Sequence, residues 1–196
     1  MLYARTVNFD FTHFDDDAII LAQSDALTHA PDFEKIFTTD AFGGEENPYY
    51  RPLQTLSFNL SGWISGEISP IAMHSVQVLL FIGVVLGLFA VLLCLGIIPL
   101  WAFILSCIYA AHPLFVSSVT WLPARGDLLM SLAGIWSFYF FIQFCHSRKM
   151  WHLILCSLIY TFALFSKETT AFLPFAFLLY YLLLSPIKTL SVKEGM

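Results

Sequence analysis

The chain has 196 residues, of which 58% are hydrophobic and only 12% charged, with a formal net charge of −5. That charged share is about half the usual one for soluble domains, and no Asp, Glu, Lys or Arg occurs from Ile68 to Ala124. Together these exclude a soluble globular domain. The charge is also uneven: residues 1–70 carry eleven acidic and three basic side chains, residues 71–196 three acidic and six basic. An acidic, water-facing first part followed by a bilayer part is the reading that fits.

In chain order, Met1 to Phe14 has no continuous apolar run, so no cleavable signal peptide is visible. Asp17 is placed to cap a helix through Ala18–Ala22, and Pro31 to open a second over 32–37. Gly43–Gly44 breaks the chain. Residues 53–65 mix Leu53, Leu56, Phe58, Leu60, Trp63 and Ile64 with Gln, Thr, Ser and Asn, which predicts a helix either lying in the membrane interface or packed under a soluble cap. Five apolar segments follow, at about 71–94, 97–112, 127–146, 151–166 and 169–185. The second and fourth are short enough to be re-entrant or tilted. Pro99 and Pro113 bracket the second, and Pro174 should kink the fifth. The predicted fold class is an all-α polytopic membrane protein with about five transmembrane or re-entrant helices. It comprises a first-loop segment (1–70), a helix bundle (71–185) and a tail (186–196). Cys94, Cys107, Cys145 and Cys156 lie in apolar runs without metal-ligand spacing and read as buried small hydrophobes. Trp101, Trp136 and Trp151 read as packing or interface anchors. Asn59-Leu60-Ser61 matches the glycosylation acceptor pattern, a short motif common by chance.

If all five segments cross, Arg148-Lys149 and the tail residues Lys188 and Lys193 share one face, which the positive-inside rule makes cytoplasmic. Asp15, Asp16, Arg51, His74, His112, Arg125, Asp127, Lys167 and Glu168 then gather outside. A purely structural bundle does not require that clustering, and charges retained beside spans read first as a functional site. Carboxylates beside Arg and Lys at a membrane surface suit transfer of a lipid-linked sugar phosphate. The cations bind the phosphate and stabilise it as it leaves. An Asp serves as general base for the acceptor hydroxyl. Asp15 and Asp16 are also the pair that could hold a divalent cation, Mg or Mn.

Five segments carry a family resemblance. His13-Phe14-Asp15-Asp16-Asp17-Ala18-Ile19-Ile20 resembles the Asp-Asp stretch in the first outer loop of GT-C membrane glycosyltransferases, nearest the transmembrane-and-TPR O-mannosyltransferases and their bacterial relatives. Tyr50-Arg51-Pro52-Leu53-Gln54-Thr55-Leu56-Ser57 is similar to their Y-R-P-L-x-x-L-S segment. Pro70 to His74 resembles their P-x-x-x-H start of a span. Ala111-His112-Pro113, Val119-Thr120-Trp121 and Arg125-Gly126-Asp127-Leu128-Leu129 resemble their H-P…V-x-W…R-x-D-L-L loop. Ser166-Lys167-Glu168 resembles their S-K-E turn. The order holds from about residue 8 to 175. The resemblance implies an inverting transferase that moves a sugar from a polyprenyl-phosphate donor to a hydroxyl on protein or lipid. Asp16 or Asp15 would be the base. Tyr50, Arg51, His74, His112, Arg125, Asp127, Lys167 and Glu168 would line the donor site. The family has a helix ahead of the Asp-Asp loop and further spans beyond the region matched here. The chain is therefore expected to be the N-terminal part of the fold without its first helix, inactive alone, with the missing helices of the parent protein as partners. The other expected partners are the bilayer, the lipid-linked donor and the hydroxyl acceptor, not nucleic acid. The expected location is a multi-pass position in a bacterial inner membrane, or the endoplasmic reticulum in a eukaryote, with the N-terminal segment outside and the C-terminus cytoplasmic.

Plainer readings stand beside these. Asp15–Asp17 could be a solvated turn and cap, Arg51 a snorkelling or loop-paired side chain, Arg125 with Asp127 a local pair, and His74 and His112 helix-end residues. A non-catalytic membrane scaffold subunit is the main rival function. A polytopic transporter is weaker, because its polar groups would sit near mid-span rather than at span ends.

Overall fold

The computed structural model describes residues 3–44 and 49–184, and among these every regular element is helical. The expected end of the fifth span at 185 and the tail with Lys188 and Lys193 lie outside the described residues. The first-loop segment holds a 3-10 turn (Ala4–Asn8), a π turn (Asp17–Leu21), α1 (Ser24–Thr28), α2 (Phe33–Thr38) and α3 (Pro52–Ser65). The apolar part holds α4 (Pro70–Cys94), α5 (Pro99–Ala111), α6 (Val116–Thr120), α7 (Arg125–Ser147), α8 (Met150–Leu164) and α9 (Leu173–Leu183).

The helix boundaries follow local chemistry. Asp32 caps α2 by accepting the Lys35 amide at 3.1 Å, one residue past the proline expected to start it. Asp17 opens a π turn and pairs with His13 at 3.2 Å instead of capping an α-helix. Gly66, at φ +73°, closes α3 in the left-handed conformation that L side chains avoid. Ser69 caps α4 and Pro70 fills its first position. Pro174 does not kink the fifth apolar run as predicted. A 3-10 turn (Glu168–Phe172) interrupts the run, so Pro174 falls in the first turn of α9, where its missing N–H needs no partner.

Two helical stretches, Pro70–Cys94 and Leu122–Ser147, are long and apolar enough to cross a membrane. At 1.5 Å per residue either exceeds the roughly 30 Å hydrocarbon core. Pro99–Ala111 and Pro113–Thr120 together reach span length but are bent by 52° at His112, and α8 and α9 are shorter apolar helices. The short second and fourth segments of the sequence are thus a broken pair and a short helix. Helix α7 is central and packs along both α4 and α8. Its contact with α4 is close because Gly83 and Gly87 face Leu132, Ile135 and Trp136, and the Trp136 indole donates to the Gly83 carbonyl at 3.2 Å.

The first-loop segment is not wholly in water. The Tyr3 ring meets Phe81 edge-on at 5.3 Å. Phe81 lies eleven residues beyond Pro70, roughly 16 Å into α4, so the described chain starts alongside the span. The loop then folds over that end of the bundle, with Ile19, Ile20, Leu27, Phe58, Met73 and Leu122 forming one core. Of the cysteines, Cys145 and Cys156 are buried and Cys94 is half-buried, whereas Cys107 is exposed on α5.

Candidate functional site

The predicted charged residues separate into two groups bridged by Arg125. The first is held by the turn after α8. Arg51 precedes α3, whose Leu53 amide donates to the Phe165 carbonyl at 3.2 Å. This brings the guanidinium to Glu168 in a two-pronged contact, Nε to Oε2 at 3.1 Å and Nη2 to Oε1 at 2.7 Å. Tyr49 lies beneath it, 4.9 Å from ring centre to guanidinium carbon. The Arg51 hydrogen bond holds the Glu168 carboxyl below the ordinary carboxylate range. Next door, Lys167 Nζ donates to Asp127 Oδ1 at 2.5 Å. The dipeptide Lys167-Glu168 therefore ties the first loop and α7 together through two ion pairs.

Below this ionic mouth lies a mainly apolar cavity of about 490 Å³ between α7 and the start of α9. Met130, Ser131 and Gly134 line it from α7, one turn or more beyond Asp127, and Thr169 and Phe172 line it from the turn after Lys167. Thr169 Oγ1 lies 3.0 Å from Met130 Sδ at its upper edge.

Arg125 is fully buried, at 0% exposure. Its guanidinium donates to Gln77 Oε1 (3.2 Å), the Ser57 carbonyl (3.2 Å), Ser61 Oγ (3.2 Å) and the Met73 carbonyl (2.7 Å), and lies 4.2 Å from the Phe58 ring centre. It does not pair with Asp127. All its acceptors are neutral groups of α3 and α4, so it fastens the loop helix to the span. Gln77 extends the same network, donating to the Ser118 and Trp121 carbonyls at 2.9 and 3.0 Å. Gly126 permits the close approach, since a Cβ there would stand 2.4 Å from Gln54 Oε1.

The second group is Asp16 with His74. Asp16 is 1% exposed, and its Oδ2 accepts the Thr12 amide (2.7 Å) and hydroxyl (2.8 Å). Its Oδ1 is buried without a hydrogen-bond partner, as are both ring nitrogens of His74, itself 2% exposed. The charges of Asp16 and Arg125 both reach His74, and Phe9 covers the imidazole edge-on at 6.2 Å. Asp15 is half-buried. Among the described residues no three His, Cys, Asp or Glu side chains converge as a metal needs.

Two other predicted residues have structural partners. Tyr50 donates its hydroxyl to the Phe37 carbonyl at 3.0 Å. His112 is exposed and accepts the Leu114 amide at 3.2 Å, capping the bend after α5. Asn59 is 3% exposed and donates to the Ala26 and His29 carbonyls, so the glycosylation pattern falls on a buried side chain. Sequence reasoning missed Thr12, Ser57, Ser61 and Gln77. The signal for the last three was polar residues recurring inside apolar helices.

The described residues form an all-helical membrane protein with two ion pairs beside a mainly apolar cavity, and the comparisons place it in the GT-C glycosyltransferase class. The chain belongs to the dolichyl-phosphate-mannose-protein mannosyltransferase family, whose profile matches residues 59–196. It is 32% identical over 168 residues to the protein O-mannosyl-transferase tmtc2 of Xenopus laevis, covering 80% of this chain and 20% of that one. It is 34% identical over 156 residues to TMTC2 of Homo sapiens (75% and 18%), and 27% identical over 154 residues to human TMTC4 (69% and 20%). The chain thus spans about a fifth of the length of these curated relatives. No solved structure matches it.

Proposed function

We propose that this chain supplies the donor-side half of a membrane glycosyltransferase that moves a sugar, mannose by analogy with the relatives' names, from a polyprenyl-phosphate carrier to a hydroxyl of a protein at the extracytoplasmic face. What supports this reading is that Lys167, ion-paired to Asp127, and Glu168, ion-paired to Arg51, directly precede Thr169 and Thr170, which line an apolar cavity, in a chain of this family. A lipid phosphate needs cations at the mouth and an apolar path below it. Lys167 and Arg51 would take the phosphate, as a point charge and a planar fork respectively. Asp127 and Glu168 hold both cations in place until it arrives. Arg125 positions α3, and with it Arg51.

In the reaction, the acceptor oxygen would form a bond to the sugar's anomeric carbon as the bond to the phosphate oxygen breaks. The polyprenyl phosphate leaves with the electron pair, and the hydroxyl proton passes to Asp16. Its Oδ1 is the unengaged carboxylate oxygen. It is also buried, so a hydroxyl reaches it only if the surrounding structure moves. That burial, with both cations already paired, favours the second reading, a scaffold that keeps the fold without the chemistry.

Donor binding and turnover, measured separately in the full-length parent, distinguish these. Asp16→Asn should lower turnover by about 10²–10⁴ with donor binding retained. Lys167→Ala should weaken both, because it would touch the phosphate before and during transfer. Normal turnover in both Asp16→Asn and Asp15→Asn would make the acidic run a cap and solvated turn rather than the base, and no turnover in the unmutated parent would leave the scaffold reading.

A further inference from the structure

Of the two buried histidines among the described residues, only one is satisfied. His152 Nδ1 lies 2.8 Å from Ser147 Oγ. Neither ring nitrogen of His74 has a partner, although buried polar groups are normally hydrogen-bonded. The Asp10 backbone comes near the ring without reaching hydrogen-bond geometry.

The packing brings Asp16 to the same place. It precedes the π turn Asp17–Leu21, whose Ile19 and Ile20 share a core with Met73, the residue before His74. Thr12 occupies Asp16 Oδ2 and leaves Oδ1 without a partner. Arg125 holds the Met73 carbonyl at 2.7 Å, and its other hydrogen bonds also go to neutral acceptors, so it pairs with neither side chain. One carboxylate oxygen and two ring nitrogens therefore share a buried patch, with the Phe9 ring over the imidazole. The opposite charges of Asp16 and Arg125 both act there and offset one another. Such a patch suits a neutral group that can donate one hydrogen bond and accept another.

We propose that His74 is the second anchor of the acceptor hydroxyl and holds its oxygen against Asp16 Oδ1. This rests on the reading of Asp16 as the base. A hydroxyl oxygen has one proton and two lone pairs. The proton passes to Asp16 Oδ1. One lone pair forms the bond to the anomeric carbon as the phosphate leaves, and the other accepts from the imidazole N–H. The ring keeps its own proton, so His74 orients the oxygen and Asp16 activates it. His74 then serves the acceptor side, not the donor side. Both groups are buried, so the movement that admits a hydroxyl to one must admit it to the other.

The test uses the full-length parent with a polyprenyl-phosphate mannose donor and a peptide containing Ser and Thr. It measures acceptor KM, kcat and donor binding without peptide. His74→Leu should lower kcat/KM for the peptide roughly tenfold to a hundredfold with donor binding unchanged. His74→Gln, whose amide also donates, should recover part of the loss. In the Asp16→Asn background His74→Leu should cost much less than it does alone, because both side chains act on one oxygen. A full, independent penalty in that background would assign His74 to the fold. An unchanged kcat/KM, whatever the thermal midpoint, would mean that the patch holds water alone. Weakened donor binding in both His74 variants would return the residue to the donor side. Each of these results overturns the inference while the base reading stands. Normal turnover in Asp16→Asn, or none in the unmutated parent, removes the base reading and this inference with it.

Discussion

Arg125 shows how a residue type can be legible while its role is not. An Arg at the start of a span costs too much to be idle, but four neutral acceptors and an aromatic ring already use its guanidinium. Arg125→Ala should therefore leave several buried acceptors unpaired beside a cavity and lower stability by roughly 3 kcal/mol or more. Arg125→Lys should not rescue it, because one ammonium cannot span the four positions. Thermal unfolding in detergent checks this: an unchanged midpoint with a selective loss of donor binding would assign Arg125 to the phosphate instead. Glu168 carries a pH signature. Its folded carboxyl titrates below the unfolded value of about 4.3. The contribution is therefore complete above that value and is lost as pH falls through the lower folded one. The midpoint difference between wild type and Glu168→Gln should be present at pH 7 and shrink as the pH falls below the unfolded value. It should stay under about 1 kcal/mol, since Glu168 is 54% exposed and screened.

At the scale of elements, the ends of α3 matter most. Gly66 stops the helix at φ +73°, and a Cβ added there would have no neighbour within 4 Å, so substitution meets only the backbone penalty. Gly66→Ala should cost about 1 kcal/mol and Gly66→Asn less, because Asn tolerates the left-handed region. Equal midpoints for the two variants would contradict this account. The bend at His112 follows from local chemistry as well. Proline at 113 has no amide with which to continue α5, and the imidazole caps the following turn by accepting the Leu114 amide. The break between α5 and the next turn was readable from Pro99 and Pro113. The break between α8 and α9 at Lys167-Glu168 was readable too, but not the 3-10 turn Glu168–Phe172 that opens the last segment.

At the scale of the whole molecule, Asp15, Arg51 and Lys167 belong to the end where the first loop folds, and Arg148-Lys149 to the turn between α7 and α8 at the other end. The proposed function, with the basic-residue rule, makes the first end extracytoplasmic. Single cysteines at 15 and 167 should react with a membrane-impermeant reagent on intact cells, and one at 148 only after permeabilisation. Labelling at 148 without labelling at 167 would reverse the orientation.

Composition and order alone determined that this is a helical membrane protein, because missing charge and apolar run length depend on residue type and not on contacts, whereas the GT-C class rested on the resemblance of five short segments. The short second and fourth segments and the interest of Lys167-Glu168 were legible for the same reason. Tertiary structure decided which charge meets which. Arg125, expected at the donor site with a local Asp127 pair as the plainer reading, meets neutral acceptors of α3 and α4, and Lys167 meets Asp127 across forty residues. It also decided which side of α3 is inside, since its alternation of polar and apolar residues fits a helix with either side buried. Only the positions of Gln77, Ser57 and Ser61 around a guanidinium, with the Phe58 ring against it, determine that the side carrying Gln54, Phe58 and Ser61 is the covered one.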